Sequence, residues 1–155
     1  MIEIDIPGRQ PLSLTTLLLD YNGTIARDGH LMEEVRGRVL SLADRLDIRI
    51  LTADTFGTVQ AECESLGVTI AVFPREGASV FKKEIAEKAG PGVVCVGNGF
   101  NDIGMCDAAD LSIAVVSSEG MCGALLSHAD VLVTSPADAL DLLLYPDRLR
   151  ATLRT

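Results

Sequence analysis

The chain has 155 residues, a formal net charge of −9 and a sequence pI of about 4.6. It is long enough to bury a core, and 48% apolar content argues against disorder. The acidic balance excludes a nucleic-acid binder, which needs clustered Lys and Arg. No apolar run approaches the roughly 20 residues of a membrane span. Met1-Ile2-Glu3-Ile4-Asp5 has neither a basic segment nor an apolar signal core. One domain over residues 1–155 is expected, cytoplasmic and without a membrane partner. Cys63, Cys95, Cys106 and Cys122 show no Cys-x-x-Cys spacing and read as buried thiols.

Ile2, Ile4 and Ile6 alternate with Glu3 and Asp5, the pattern of a half-buried strand at a sheet edge. Pro7-Gly8-Arg9 turns the chain. The apolar run Leu17-Leu18-Leu19 predicts a strand over 14–20 that is buried on both faces and ends at Asp20. A carboxylate at the carboxyl end of a central parallel strand stands where open α/β sheets bind ligands. The loop that follows, through Tyr21, Asn22, Gly23 and Thr24, offers backbone N–H groups to an anion, so Asp20 is a candidate nucleophile facing a phosphate pocket. Asp28-Gly29 signals a hairpin, with His30 read as a solvated loop residue.

A helix is predicted over 32–46, with Val35, Val39, Leu42 and Leu46 on one face. The strand over 47–52 ends at Thr52, whose hydroxyl can donate to a phosphoryl oxygen. Asp54 reads as the N-cap of a helix over 55–66. A strand over 68–73 is closed by Pro74, and a helix over 79–89 is stopped by Gly90-Pro91-Gly92. Lys82 and Lys83 point about 100° apart on that helix, so one alone can face the pocket. A strand over 93–96 leads into Gly97-Asn98-Gly99, whose glycines let backbone approach a ligand, and Asn101-Asp102 opens a helix over 102–109. A strand over 111–116, a helix over 121–127, a short strand over 131–133 and helices over 138–145 and 147–153 complete the chain. His128 sits at a helix end and reads as a solvated or capping residue. Strands alternating with helices predict a three-layer, Rossmann-like α/β fold. Its sheet is doubly wound and mainly parallel, with five to six strands plus the N-terminal edge strand.

Asp20-Tyr21-Asn22-Gly23-Thr24 resembles the first motif of the haloacid dehalogenase superfamily, Asp-x-Asp-Gly-Thr, and the Asp-Lys-Thr-Gly-Thr of P-type ATPases. Gly97-Asn98-Gly99-Phe100-Asn101-Asp102 is similar to the superfamily's Gly-Asp-Gly-x-Asn-Asp, with Thr52 and Lys82 falling where its second and third motifs lie. The resemblance implies a capless, Mg²⁺-dependent phosphatase like the soluble proteins related to the phosphorylation domain of P-type ATPases. It assigns Asp20 as nucleophile and metal ligand, the Asn22 carbonyl, Asn98 and Asp102 as further metal ligands, and Thr52 and Lys82 as phosphoryl-binding groups. Tyr21, Gly23, Thr24, Ala53 and Asn101 would contact the phosphorylated substrate. Of the two lysines, the superfamily's spacing back from Gly90 and the following strand favours Lys82.

Two residues depart from the superfamily's pattern. Asn22 replaces its acid–base aspartate, and losing such a group costs ~10²–10⁴ in rate. Asn98 replaces a metal-binding carboxylate, although Mg²⁺ can be held by one or two carboxylates with substrate phosphate. The expectation is a slow phosphohydrolase acting through an aspartyl-phosphate. Its substrates would need little leaving-group protonation: acyl phosphates, aryl phosphates or nucleotides. A non-catalytic phosphate-binding module and an autophosphorylating protein like the P-type ATPases stay open as alternatives. Neither 20–52 nor 52–82 has room for a cap domain, so the site should be open unless a second subunit of a homo-oligomer covers it.

Overall fold

Leu17, Leu18 and Leu19 leave a strand no polar face, so it is stable only with packing on both sides. In the computed structural model, which describes residues 1–54 and 57–155, that strand lies inside a six-stranded parallel sheet. The N-terminal strand does not join this sheet. β1 (Ile2–Ile4) pairs antiparallel with β2 (Leu12–Leu14) as a separate ribbon. The predicted strand over 14–20 breaks at Thr15, where the Thr15 and Thr16 N–H groups both donate to the Gly92 carbonyl. β3 (Thr16–Asp20) then enters the main sheet.

The chain continues through a hairpin of β4 (Ala26–Arg27) and β5 (His30–Leu31), helix α1 (Glu33–Ala43) and β6 (Asp47–Thr52). Asp28 at φ 51° and Gly29 at φ 83° make the two-residue hairpin turn with both central residues left-handed, as the Asp-Gly pair requires. Helix α2 (Val59–Cys63), a 3₁₀ turn over Glu64–Leu66, and β7 (Thr69–Val72) follow. The helix expected over 55–66 is therefore shorter, and positions 55 and 56 of it lie outside the described residues. Next come α3 (Ala78–Ala89), β8 (Val93–Gly97), α4 (Ile103–Ala108), β9 (Leu111–Val115), β10 (Val131–Val133), α5 (Pro136–Leu144) and α6 (Pro146–Leu153). The helix expected over 121–127 is a 3₁₀ run, Gly123–His128. Pro136 and Pro146 both open helices, where a missing N–H costs nothing.

The sheet order is β10-β9-β8-β3-β6-β7. From β3 the chain builds outward through β6 and β7, then returns to place β8 on the other side of β3 and builds outward again. The crevice beyond β3 and β8 is thus the topological switch point. Strand parity divides the core. Leu17, Leu19, Ile48, Ile50, Val94 and Val96 pack with residues of α1, α5 and α6. Leu18, Leu51, Val93 and Cys95 pack with α3 and α4. Asp20 shares Leu18's parity, which sends its side chain toward α3 and α4. Between Asp20 and Thr52 the described residues form only the hairpin, α1 and β6, with no cap. No helix among the described residues is long and apolar enough to cross a membrane.

Candidate active site

The carboxyl ends of β3, β6 and β8 surround a cavity of about 460 Å³ whose wall includes Asp20, Asn22, Thr52, Ala53, Lys82, Asn98 and Asn101. Asp20 is almost wholly buried at its floor. Its Oδ1 accepts from Lys82 Nζ at 2.6 Å and its Oδ2 from Thr24 Oγ1 at 2.7 Å. Lys82 Nζ also donates to Asp102 Oδ1 at 2.6 Å and to Asn101 Oδ1 at 3.3 Å. Lys82 therefore bridges the two carboxylates, while its neighbour Lys83 is exposed and pairs with Glu87. Burial pushes the Asp20 carboxyl up to about 6, helped by Asp102 and opposed by Lys82 and Thr24. It is thus ionised at neutral pH and protonated in mild acid. Burial works against the Lys82 ammonium, but the Asp20 and Asp102 carboxylates outweigh it and hold that group above its ordinary value.

Asp102 stands behind this cluster rather than on the cavity. It is fully buried, its Oδ1 taken by Lys82 and its Oδ2 by the N–H groups of Asn98 and Gly99 at 3.0 and 2.8 Å. Gly97 makes room for it, since a Cβ there would lie 2.6 Å from the Asp102 carboxyl carbon. In this arrangement the Asp102 carboxylate anchors Lys82 and the 98–99 turn. Lys82→Met should leave two buried carboxylates unneutralised and cost about 3–5 kcal/mol of stability at neutral pH. Urea denaturation checks this, and Asp102→Asn in the same chain should recover part of the loss.

Three other residues expected at the substrate turn elsewhere. Tyr21 belongs to the core on the α1 side, its hydroxyl donating to the Gly29 carbonyl at 3.1 Å. Thr24 is fully buried, spending its single proton on Asp20 with Asn98 Oδ1 as a second acceptor at 3.1 Å. Gly23 donates its N–H to the Ala26 carbonyl, so that group is not free for an anion. A Cβ on Gly23 would come 2.6 Å from Asn98 Nδ2, and its φ is +78°. Of the N–H groups over 21–26, that of Asn22 alone has no acceptor among the described residues, and the same holds for the N–H of Ala53. Thr52 Oγ1 accepts from the Asp54 N–H at 2.9 Å, which leaves its proton for the cavity it lines. Asp54 sits at φ 45°, five residues before α2, and reaches the Val59 N–H only at 3.4 Å. The expected N-cap position belongs instead to Thr58.

The flap hairpin is held away from the cavity. The Gly29 carbonyl accepts from Tyr21 and from Thr58 Oγ1 at 2.6 Å, and His30 Nδ1 meets Glu62 Oε1 at 2.9 Å. His128 pairs with Asp107 at 2.6 Å, a contact to a neighbouring helix rather than a cap. The reading of the sequence missed Phe73, Arg75 and Phe100, which also line the wall. Arg75 follows Pro74 just past the end of β7, a position that a parallel-sheet argument could have flagged.

The oxygen donors suit a hard divalent cation. Among the described residues the Asn22 carbonyl accepts no backbone hydrogen bond, and its side-chain Oδ1 is buried without a partner. With Asn98 Oδ1 and the Asp20 carboxylate these make an all-oxygen set of the kind Mg²⁺ takes. No group of three or more His, Cys, Asp or Glu among the described residues is placed to hold an ion. A cation held by this set would complete its shell with phosphate oxygens or water.

No family model matches the chain. Two uncharacterized proteins of Methanocaldococcus jannaschii do. MJ0073 is 41% identical over 73 residues, 47% of this chain and 75% of that protein. MJ0072 is 54% identical over 39 residues, 25% of this chain and 89% of that protein. The chain belongs to the same family as these two. Solved structures extend the likeness. The 3-deoxy-D-manno-octulosonate 8-phosphate phosphatase of Moraxella catarrhalis, solved with magnesium ion, phosphate ion and KDO, is 14% identical with a TM-score of 0.70, over 91% of this chain and 94% of that one. The cobalt-bound deoxy-D-mannose-octulosonate 8-phosphate phosphatase of Haemophilus influenzae is 12% identical with a TM-score of 0.71, over 92% and 94%. The fold is what these share with the chain, and a structure from Streptomyces avermitilis described as a HAD family hydrolase shares it too, 18% identical with a TM-score of 0.70 over 91% of this chain and 92% of that one. The HAD fold was the one expected from the four motif-like segments, and here it covers almost the whole chain.

Proposed function

We propose that the chain is a slow, divalent-cation-dependent phosphohydrolase acting through an aspartyl-phosphate on Asp20. One observation carries this reading. A single cavity brings together the Asp20 carboxylate, the Thr52 hydroxyl, the unengaged N–H groups of Asn22 and Ala53, and the Lys82 ammonium. These are a nucleophile and a set of donors for phosphoryl oxygens.

In the first step an Asp20 oxygen bonds to phosphorus, the bond from phosphorus to the leaving oxygen breaks, and its electron pair departs on that oxygen. Water then cleaves the acyl phosphate, returning free Asp20 and inorganic phosphate. Thr52, Asn22 N–H and Ala53 N–H orient the phosphoryl group. Lys82 would exchange its longest bond, the 3.3 Å contact to Asn101, for a phosphoryl oxygen. Asp20, the Asn22 carbonyl and Asn98 would hold the cation, with Mg²⁺ the expected ion. When bound, it supplies charge screening between carboxylate and phosphate. The magnesium and phosphate of the Moraxella structure support this reading.

Asn22 favours a second reading, in which Asp20 is phosphorylated but hydrolysis is so slow that the protein acts as a phosphate-binding or phospho-relay module. An amide can neither protonate a leaving group nor activate water. A panel of phosphate esters assayed with Mg²⁺ and with EDTA separates the two. The phosphohydrolase reading predicts steady phosphate release that EDTA reduces about 100-fold or more and added Mg²⁺ restores. Binding without release across the panel contradicts it.

A further inference from the structure

The cavity narrows the substrate beyond a generic phosphate ester. We propose that its mouth receives an aromatic ring, so that the substrates are aryl phosphate monoesters. This rests on the phosphohydrolase reading and deepens it.

Aromatic residues are scarce in this chain, with four Phe, two Tyr and no Trp, yet three of the Phe lie at or beside the site. Phe73 and Phe100 lie on the cavity wall, and Phe81 stacks on Phe73 with ring centroids 5.9 Å apart. Phe100 is 68% exposed, the highest value for a large apolar side chain among the described residues. Its exposure is not that of a loose loop. Phe100 opens a 3₁₀ turn closed by the Asp102 N–H to the Gly99 carbonyl, and the buried Asp102 carboxylate fixes the same turn from behind. A rigid turn thus holds an apolar ring in water at the opening of a phosphate site. An aromatic ring stacked there gains face or edge contacts in addition to burial.

The chemistry points the same way. With an amide at Asn22, the leaving oxygen must depart without a proton from the enzyme. A phenol ionises near pH 10, so a phenolate is a far weaker base than an alkoxide and leaves readily. An aliphatic acyl phosphate such as acetyl phosphate meets that demand but has no ring for Phe100. A nucleoside triphosphate has a ring, but its charge is unmatched here. The cations on the wall are Lys82, already shared between two carboxylates, and Arg75, which makes no ion pair among the described residues. One phosphate is what this wall can balance.

The test separates ring binding from turnover. Calorimetry on the full chain with Mg²⁺ would compare phenylphosphonate with methylphosphonate, which cannot be hydrolysed. The ring should tighten binding about tenfold or more, Phe100→Ala should erase most of that ratio, and Phe100→Trp should keep it. In turnover, Phe100→Ala should lower the ratio of kcat/KM for phenyl phosphate over acetyl phosphate about tenfold, through KM. Equal Kd for the two phosphonates, or a ratio indifferent to Phe100→Ala, overturns the proposal. Ring dependence seen with ATP but not with phenyl phosphate overturns it as well. If wild type binds phenylphosphonate selectively but turns over neither ester, it is the phosphohydrolase reading that fails.

Discussion

Asp20→Asn should reduce turnover of every phosphate ester by about 10⁴-fold or more, the scale seen when an attacking side chain is removed. The amide keeps the shape of the carboxylate and can still accept from Lys82, which retains Asp102 at 2.6 Å. The fold should therefore survive, with Tm within about 5 °C of the parent. Burial already holds the Asp20 carboxyl up at about 6, so the charged form is a costly one for the protein to keep. A neutral isostere should not unfold it. Thermal denaturation beside the phosphate-release assay checks both parts. Full activity in a folded Asp20→Asn protein would remove Asp20 from the chemistry.

Asn22→Asp should act in the opposite direction. A carboxyl at this position lines the same cavity as Asp20 and takes the place of a buried amide oxygen that has no partner among the described residues. Near the Asp20 carboxylate its pKa should rise, as for like charges that share a site. A raised carboxyl is a better proton donor at neutral pH. Turnover of alkyl phosphates, whose leaving oxygens need that proton, should increase about 10²–10⁴-fold, with a smaller gain for aryl esters. Steady-state kinetics across esters of graded leaving-group acidity reads this as a flattened dependence. No gain on alkyl esters would show that something other than the missing acid limits the rate.

Much of this site was readable in one dimension, for identifiable reasons. Three consecutive leucines fit a doubly buried strand, and a charged residue ending such a strand belongs at a ligand or in a buried pair. Asp20 is in a buried pair with Lys82 and lines a cavity as well. Helix geometry allowed only one of Lys82 and Lys83 to face the cavity, and the resemblance, not periodicity, favoured Lys82, which is the one that meets Asp20. What was not readable depended on where side chains and N–H groups find partners. Tyr21 and Thr24 lie within four residues of Asp20, yet the tight loop over 21–26 closes on its own carbonyls and turns both inward. Asp102 carries a motif-like signature, but its role as an anchor for Lys82 appears only once α3 and the 98–102 turn meet. The alternating isoleucines of β1 correctly signalled a half-buried strand, while its partner β2 could not be chosen by periodicity. Phe100 looked like a spacer within a motif, since sequence does not report exposure.

The most direct measurement is a rapid acid quench of wild-type protein during turnover of a ³²P-labelled aryl phosphate, with the label mapped by mass spectrometry. The account predicts an acid-stable, hydroxylamine-labile phosphate on Asp20 that accumulates in wild type, is absent from Asp20→Asn, and decays faster in Asn22→Asp. Turnover without any labelled protein, or label on a residue other than Asp20, would contradict it.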